Sequence, residues 1–205
     1  MQNKIIEFVR QELGNDNTGH DLNHAFRVVN NAKKILEKVE GNNKIIITAC
    51  YLHDTVDHKL FADSAIQIKK IKKLLEDEYI PSEIDEVIDI ITSISFNNND
   101  YKHLTNKNAM IVRDADRLDA LGSMGIIRTI QYGTSHNRPF YDELNIKRIN
   151  GKCEFNKPTN STLSHFYDKL LKLEDLMHTD IGKSMARERV KIIKMFLEHF
   201  YDELG

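Results

Sequence analysis

The sequence is short of several things that would have placed it quickly. It has two cysteines in 205 residues, Cys50 and Cys153, in unlike contexts. That suggests no disulfide framework and fits a reduced compartment better. Its net charge of -2 leaves no basic field for nucleic acid, and it has no acidic tail. A small anionic substrate is still allowed, because such molecules are bound by local charges. Long apolar runs are missing too. The longest, Ile45 to Leu52, is broken by Thr48 and is far too short to span a bilayer. The opening MQNKIIEFVRQELG is amphipathic and charged, unlike the apolar core of a secretory signal. A cytoplasmic location is the expectation, with no membrane and no stable nucleic-acid partner.

What is present belongs to a globular chain: 40% hydrophobic and 29% charged residues, at the length of one ordinary domain. The periodicity is helical almost throughout. Residues 22–39 place Val28, Ala32, Ile35, Leu36 and Val39 at helical spacing, and Gly41 is expected to end that helix. Ile45 to Leu52 reads as a buried helix, although a buried strand competes for so short a run. A helix over 62–78 follows, and Pro81-Ser82 opens another, with Ser82 and Asp85 at capping-box spacing. A polar loop covers Asn97 to Lys107. The helical segment Ala109 to Ile130 then meets Gly122 and Gly125, where an interruption is expected.

From Gly133 to Pro158 the character changes, with two of the three prolines, several asparagines and no helical period. This reads as a long ordered loop containing a short hairpin, a feature often used as a binding loop or lid. Two amphipathic helices, about 160–178 and 180–204, close the chain, and Met177, Met185 and Met195 there read as core or subunit packing. The expectation is an all-α single domain over 1–205. A core at about 19–130 would carry the chemistry, and the loop and packing helices would occupy 131–205. Self-association into a homo-oligomer is left open.

The residues that carry chemistry are His24, the pair His53-Asp54, and Asp114, Asp116 and Asp119. Imidazole and carboxylate are ligands for Mn, Fe, Co, Ni, Zn or Mg ions. His24 lies four residues before Val28, on the inward stripe of its helix. His53 and Asp54 directly follow the buried run, where their side chains leave the core. The three aspartates sit among Ile111, Val112, Leu118, Leu121 and Met124, and carboxylates in such a setting need partners or a cation. Taken singly, His24 also fits a hydrogen-bonded core histidine, and the aspartates also fit a solvated helix face.

The order H…HD…D in a helical chain resembles the HD-domain metal-dependent phosphohydrolase superfamily. HAFRVV (24–29) is similar to the family's first-ligand helix, ACYLHDTVDHK (49–59) to its second, and DADRLDALG (114–122) to its last-ligand element. GHDLNH (19–24), SFNN (95–98) and HFYDKLLKLEDLM (165–177) resemble a bacterial subgroup of small stand-alone members. The resemblance implies one divalent metal ion held by His24, His53, Asp54 and Asp116. His20 competes with His24, but only His24 has the family's HxxxV register, so His20 is expected beside the substrate or orienting a ligand. Dinuclear members carry further histidines before the last aspartate. Only His58 and His103 fall in that interval, both out of register, so one ion is expected.

The implied activity is hydrolysis of a nucleotide phosphate ester or anhydride, with nucleoside or deoxynucleoside triphosphate pyrophosphohydrolysis favoured. The HDTVD run also resembles the HDTVE run of guanosine-alarmone hydrolases, but His58 stands where that group has an acidic residue. Alarmone hydrolysis is therefore the alternative, and a non-catalytic metal-containing nucleotide sensor is the alternative of another class. Asp57, on the face of His53 and Asp54 if the helix continues, is the candidate general acid or base. Arg27, Lys59, Arg117 and Arg128 are candidate phosphate ligands, and Arg138 in the loop is a candidate to close over substrate. Asp119, one turn beyond Asp116, is the candidate to orient a ligating histidine.

Overall fold

The computed structural model describes residues 2–14, 21–57, 61, 63–94 and 104–205. Nine α-helices and one two-stranded sheet occur among the described residues, so the all-α expectation holds. The chain divides into two compact units, Met1–Asp116 and Arg117–Gly205.

The amino-terminal unit contains α1 (Gln2–Leu13), α2 (Leu22–Leu36), α3 (Asn43–Leu52), α4 (Ser64–Leu75), α5 (Pro81–Ser93) and most of α6 (Lys107–Asp119). The apolar run that sequence alone left between helix and strand is helix α3, which packs against α1, α2 and α5. Ile45, Ile46, Ala49, Cys50 and Leu52 are all buried, as expected for a helix apolar nearly all round. Thr48, its polar interruption, is satisfied by the Tyr79 hydroxyl at 2.6 Å. Asn42 caps the helix, its side chain accepting from Lys44 N and Ile45 N.

Two boundaries differ from the sequence reading. Helix α2 ends at Leu36, with Glu37 still in the right-handed region, so Gly41 is not its terminator. Gly41 is instead a point of close approach: an added Cβ would meet Ile46 Cδ1 at 2.6 Å and Ile111 Cδ1 at 3.0 Å. Helix α5 starts with Pro81 as its first residue, and Glu83, not Asp85, reaches back to accept from Ile80 N at 3.2 Å. The capping pair was displaced because proline's fixed φ and missing N–H already suit the first helical position.

The carboxy-terminal unit continues with α7 (Gly122–Ser135), the strands β1 (Ile146–Ile149) and β2 (Lys152–Phe155), α8 (Thr162–Asp168) and α9 (Asp180–Leu204). The expected break falls at Gly122, whose φ of 69° is a conformation that favours glycine. The hairpin is present. Asn150 and Gly151, both with positive φ, join paired residues Ile149 and Lys152 in a two-residue turn.

The long loop begins later than composition suggested, because α7 runs through Gly133 to Ser135. Asn145 orders the loop from a fully buried position. Its amide donates to the Lys157 carbonyl at 3.1 Å, and its oxygen accepts from Asp142 N at 2.9 Å and Ser161 Oγ at 2.7 Å. The helix expected over 160–178 breaks at Lys169 into α8 and a 3-10 segment, Leu170–Leu176. No described helix is long and apolar enough to cross a membrane. Cys50 and Cys153 are buried free thiols.

Candidate metal centre

Three local structures set up the candidate ligands of the amino-terminal unit. Asp21 is the N-cap of α2 and accepts from His24 N at 2.8 Å, fixing the first turn from which His24 projects. His24 itself is 1% exposed. After α3 the chain tightens into a 3-10 turn, His53–Val56, with Thr55 Oγ1 donating to the Leu52 carbonyl. This turn presents His53 and Asp54 side by side at the end of a buried helix. Asp116 comes from α6, and Asn31 Nδ2 of α2 donates to the adjacent Ala115 carbonyl at 2.9 Å. Asn31 is buried and ties α2 to α6 beside the cluster.

The four residues converge. His24 Nε2 lies 3.2 Å from His53 Nε2, 3.4 Å from Asp54 Oδ2 and 3.4 Å from Asp116 Oδ1. His53 Nε2 lies 3.3 Å from Asp54 Oδ1 and 3.6 Å from Asp116 Oδ1. Ligands about 2.1 Å from an ion at angles near 90–110° sit about 3.0–3.4 Å from one another. His24, His53 and Asp54 offer ligand atoms that all lie within 4.8 Å of one another and could hold a metal ion, with Asp116 Oδ1 near both imidazoles. His53 Nδ1 donates to the Cys50 carbonyl at 2.9 Å, so loss of the ring's other proton would turn an Nε2 lone pair toward the cluster.

Three of the side chains are buried, whereas that of Asp116 is 36% exposed, so the cluster opens to solvent on the Asp116 side. Burial opposes a charge on His53, but Asp54 and then Asp116 outweigh it and raise its pKa to about 9. Burial likewise works against the Asp116 charge, yet His24 and His53 hold that carboxyl well below its usual range. Cys50 is a spectator, its thiol pushed up by burial and by the charge of Asp116.

The remaining candidates are placed less simply. Asp57 follows the 3-10 turn in extended conformation, so the helical face expected to carry it beside His53 and Asp54 does not exist. Arg27 is half-buried on α2, and its charge acts on Asp21. Arg117 is buried and donates to the Leu176 carbonyl. Arg128 pairs with the buried Asp119 at 2.8 Å, and Asp119 also supports the charge of Arg189. The sequence reading gave Asp119 to an imidazole and Arg128 to substrate; the structure makes them partners, which satisfies a carboxylate buried among apolar neighbours. His20, Lys59, His58, His103 and the SFNN segment lie outside the described residues.

Asn31 and Asp21 were missed by sequence reasoning. Asp21 had a local signal, an aspartate just ahead of an amphipathic stripe. Asn31 had none, because its acceptor is 84 residues away.

A family model described as HD domain matches residues 21–121, the span that holds all four clustered residues. A solved HD-superfamily hydrolase from Bacillus thuringiensis is 36% identical, with 98% of this chain and 95% of that one covered and a TM-score of 0.77. The chain belongs to the HD-domain superfamily. Bacillus subtilis YpgQ is 29% identical over 204 residues, 98% of this chain and 92% of YpgQ. The structure of YpgQ in complex with ADP superposes with a TM-score of 0.80 at 27% identity, covering 100% of this chain and 98% of that one. The Lin1889 protein of Listeria innocua is 32% identical, with 100% and 97% covered and a TM-score of 0.74.

Proposed function

We propose that this protein is a divalent-metal-dependent phosphohydrolase of nucleotides, cleaving a phosphate ester or anhydride. Release of pyrophosphate from a nucleoside or deoxynucleoside triphosphate is the favoured reaction. The observation that carries this reading is the group of His24, His53 and Asp54, whose two imidazole nitrogens lie 3.2 Å apart and 3.3–3.6 Å from the Asp54 and Asp116 carboxylates. The relative YpgQ, crystallised with ADP, supports a nucleotide as the substrate class.

In this reading His24, His53, Asp54 and Asp116 hold the ion. When bound, a divalent ion supplies Lewis acidity to a phosphoryl oxygen and acidifies a water, from a pKa of 15.7 toward about 7. The protein's own part is orientation. The Cys50 carbonyl fixes the His53 tautomer, Asp21 fixes the turn carrying His24, and Asn31 fixes the backbone beside Asp116. Asp57 is assigned the proton of the attacking water or of the leaving oxygen. Arg27, with His20 and Lys59, is assigned to the substrate's charge.

A panel of nucleoside and deoxynucleoside mono-, di- and triphosphates with Mn, Co, Ni or Mg, scored for phosphate and pyrophosphate release, tests the proposal. Turnover is expected to vanish in His53→Ala and Asp54→Ala. In Asp57→Asn, kcat is expected to fall about 10²–10⁴-fold while metal uptake is unchanged. Full turnover in His53→Ala would overturn the reading. Nucleotide binding without turnover on any substrate would replace it with a sensor.

A further inference from the structure

Helix α9 opens on a favourable acidic residue, Asp180, but ends on Asp202 and Glu203 with no basic residue in its last turn. The unpaired carbonyls give a helix C-terminus partial negative charge, so carboxylates there are destabilising where lysines would help. The charges are also sorted on one face. Arg187, Lys191, Met195, Glu198 and Asp202 follow one another at intervals of four, four, three and four residues, and all five are exposed. That spacing keeps them in one stripe along the helix for about 22 Å. Read from the amino end, the stripe is basic, basic, Met, acidic, acidic.

Within the chain these groups are lightly held. Arg187 pairs with Glu174 at 3.0 Å and Lys191 with Glu188 at 2.7 Å, on the surface, where such pairs contribute little. Glu198 and Asp202 make no ion pair among the described residues. The centre of the stripe is apolar: Met195 is 57% exposed, and Ile192, one turn before it, 42%. Arg189, one turn before Ile192, has its Cγ 3.3 Å from where a Cβ on Gly122 of α7 would sit, so Ile192 borders the seam between α7 and α9. Helix α7 buries Gly122, Gly125, Thr129 and Gly133 and leaves Met124, Ile127 and Ile130 outside. Small residues face in and large apolar ones face out, the reverse of the pattern a solvent-facing helix needs.

We propose that this face of α9 is an interface with a second copy of the chain, the two helices crossing antiparallel about a two-fold axis beside Met195. The argument for a second copy is the symmetry of the stripe: reversing its direction reverses its charge. About a midpoint between residues 194 and 195, Lys191 meets the partner's Glu198 and Arg187 meets the partner's Asp202, each pair formed twice. An isologous contact requires this self-complementarity, whereas a different protein would not. A parallel crossing sets like charges opposite one another and is excluded. Each last turn then gains the partner's Arg187 beside Asp202, which offsets the carboxylates placed against the helix's own dipole. Met195 and Ile192 supply the apolar centre inside the charged rim.

Sedimentation velocity of the full chain over a range of concentrations, at low and high salt, tests the interface. Wild type is expected to dimerise, more weakly as salt rises, because the paired charges lie at an exposed rim. Lys191→Glu and Glu198→Lys each set like charges opposite one another twice and are expected to weaken the dimer about tenfold or more. Mixed in equal amounts, the two variants are expected to associate again, since each then meets the opposite charge on the other. A chain carrying both substitutions is expected to dimerise as wild type does. Both positions are exposed, so far-UV circular dichroism and Tm of the monomers are expected to stay at wild-type values. A wild type that stays monomeric up to its solubility limit would overturn the proposal. So would single variants that dimerise like wild type, or single variants that stay apart when mixed.

Discussion

Metal uptake by the cluster has to displace a proton, and pH is the perturbation that exposes this. In the metal-free protein Asp54 and Asp116 overcome the effect of burial and raise His53 from 6.5 to about 9. The Asp116 carboxyl is held well below its usual range and stays ionised throughout, so His53 supplies the proton that is lost. Below about pH 9 each bound ion then releases one proton, and apparent affinity rises about tenfold per pH unit before levelling off. From pH 6.5 upward the whole rise is on the order of a hundredfold or more.

The metal-free fold should respond with the opposite sign. A folded-state pKa above the unfolded one means that the folded protein binds the extra proton. That stabilisation is fully present below pH 6.5 and is lost as pH rises through about 9. At about 1.36 kcal/mol per pH unit the interval is worth on the order of 3 kcal/mol. Anaerobic Mn²⁺ titrations at several pH values, paired with Tm of chelator-treated protein, measure both. Asp116→Asn should narrow the window by removing one of the charges that raise His53. A metal affinity independent of pH over this range would refute the reasoning. So would a metal-free Tm that climbs across it.

Asn31→Ala removes the buried donor to the Ala115 carbonyl and is expected to cost about 1–3 kcal/mol in urea unfolding. Mn²⁺ affinity should fall as well, because the backbone beside Asp116 loses its tie to α2. Gly133→Ala would raise helix propensity by about 1 kcal/mol in an isolated helix. Here its Cβ would collide with Thr162 Oγ1 and lie 3.0 Å from Thr162 Cβ. Net destabilisation of about 1–3 kcal/mol is therefore expected, read as a lower Tm. A neutral or stabilised Gly133→Ala protein would contradict the close packing of α7 on α8.

Much of this protein was legible from local pattern. Apolar spacing determined the helices, since a helix buries its stripe wherever the rest of the chain lies. A break near Gly122 or Gly125 and a short hairpin within 133–158 were legible for the same reason: backbone conformation is largely decided by neighbouring residues. The motif order H…HD…D, through its family resemblance, singled out the four residues that converge. Chemistry at single positions could not have done so, because His24 alone fits a core histidine equally well.

Tertiary structure decided what depends on distant partners. Whether the chain stays helical after Leu52 rests on Thr55 and the turn it caps, and that outcome took Asp57 off the expected helical face. Gly41 reads as a helix terminator in sequence, but the space it leaves is taken by Ile46 and Ile111. The role of Asp119 followed from Arg128, and that of Asn31 from a carbonyl 84 residues away. A side chain's type sets what it can bind; which partner reaches it through the fold sets what it does.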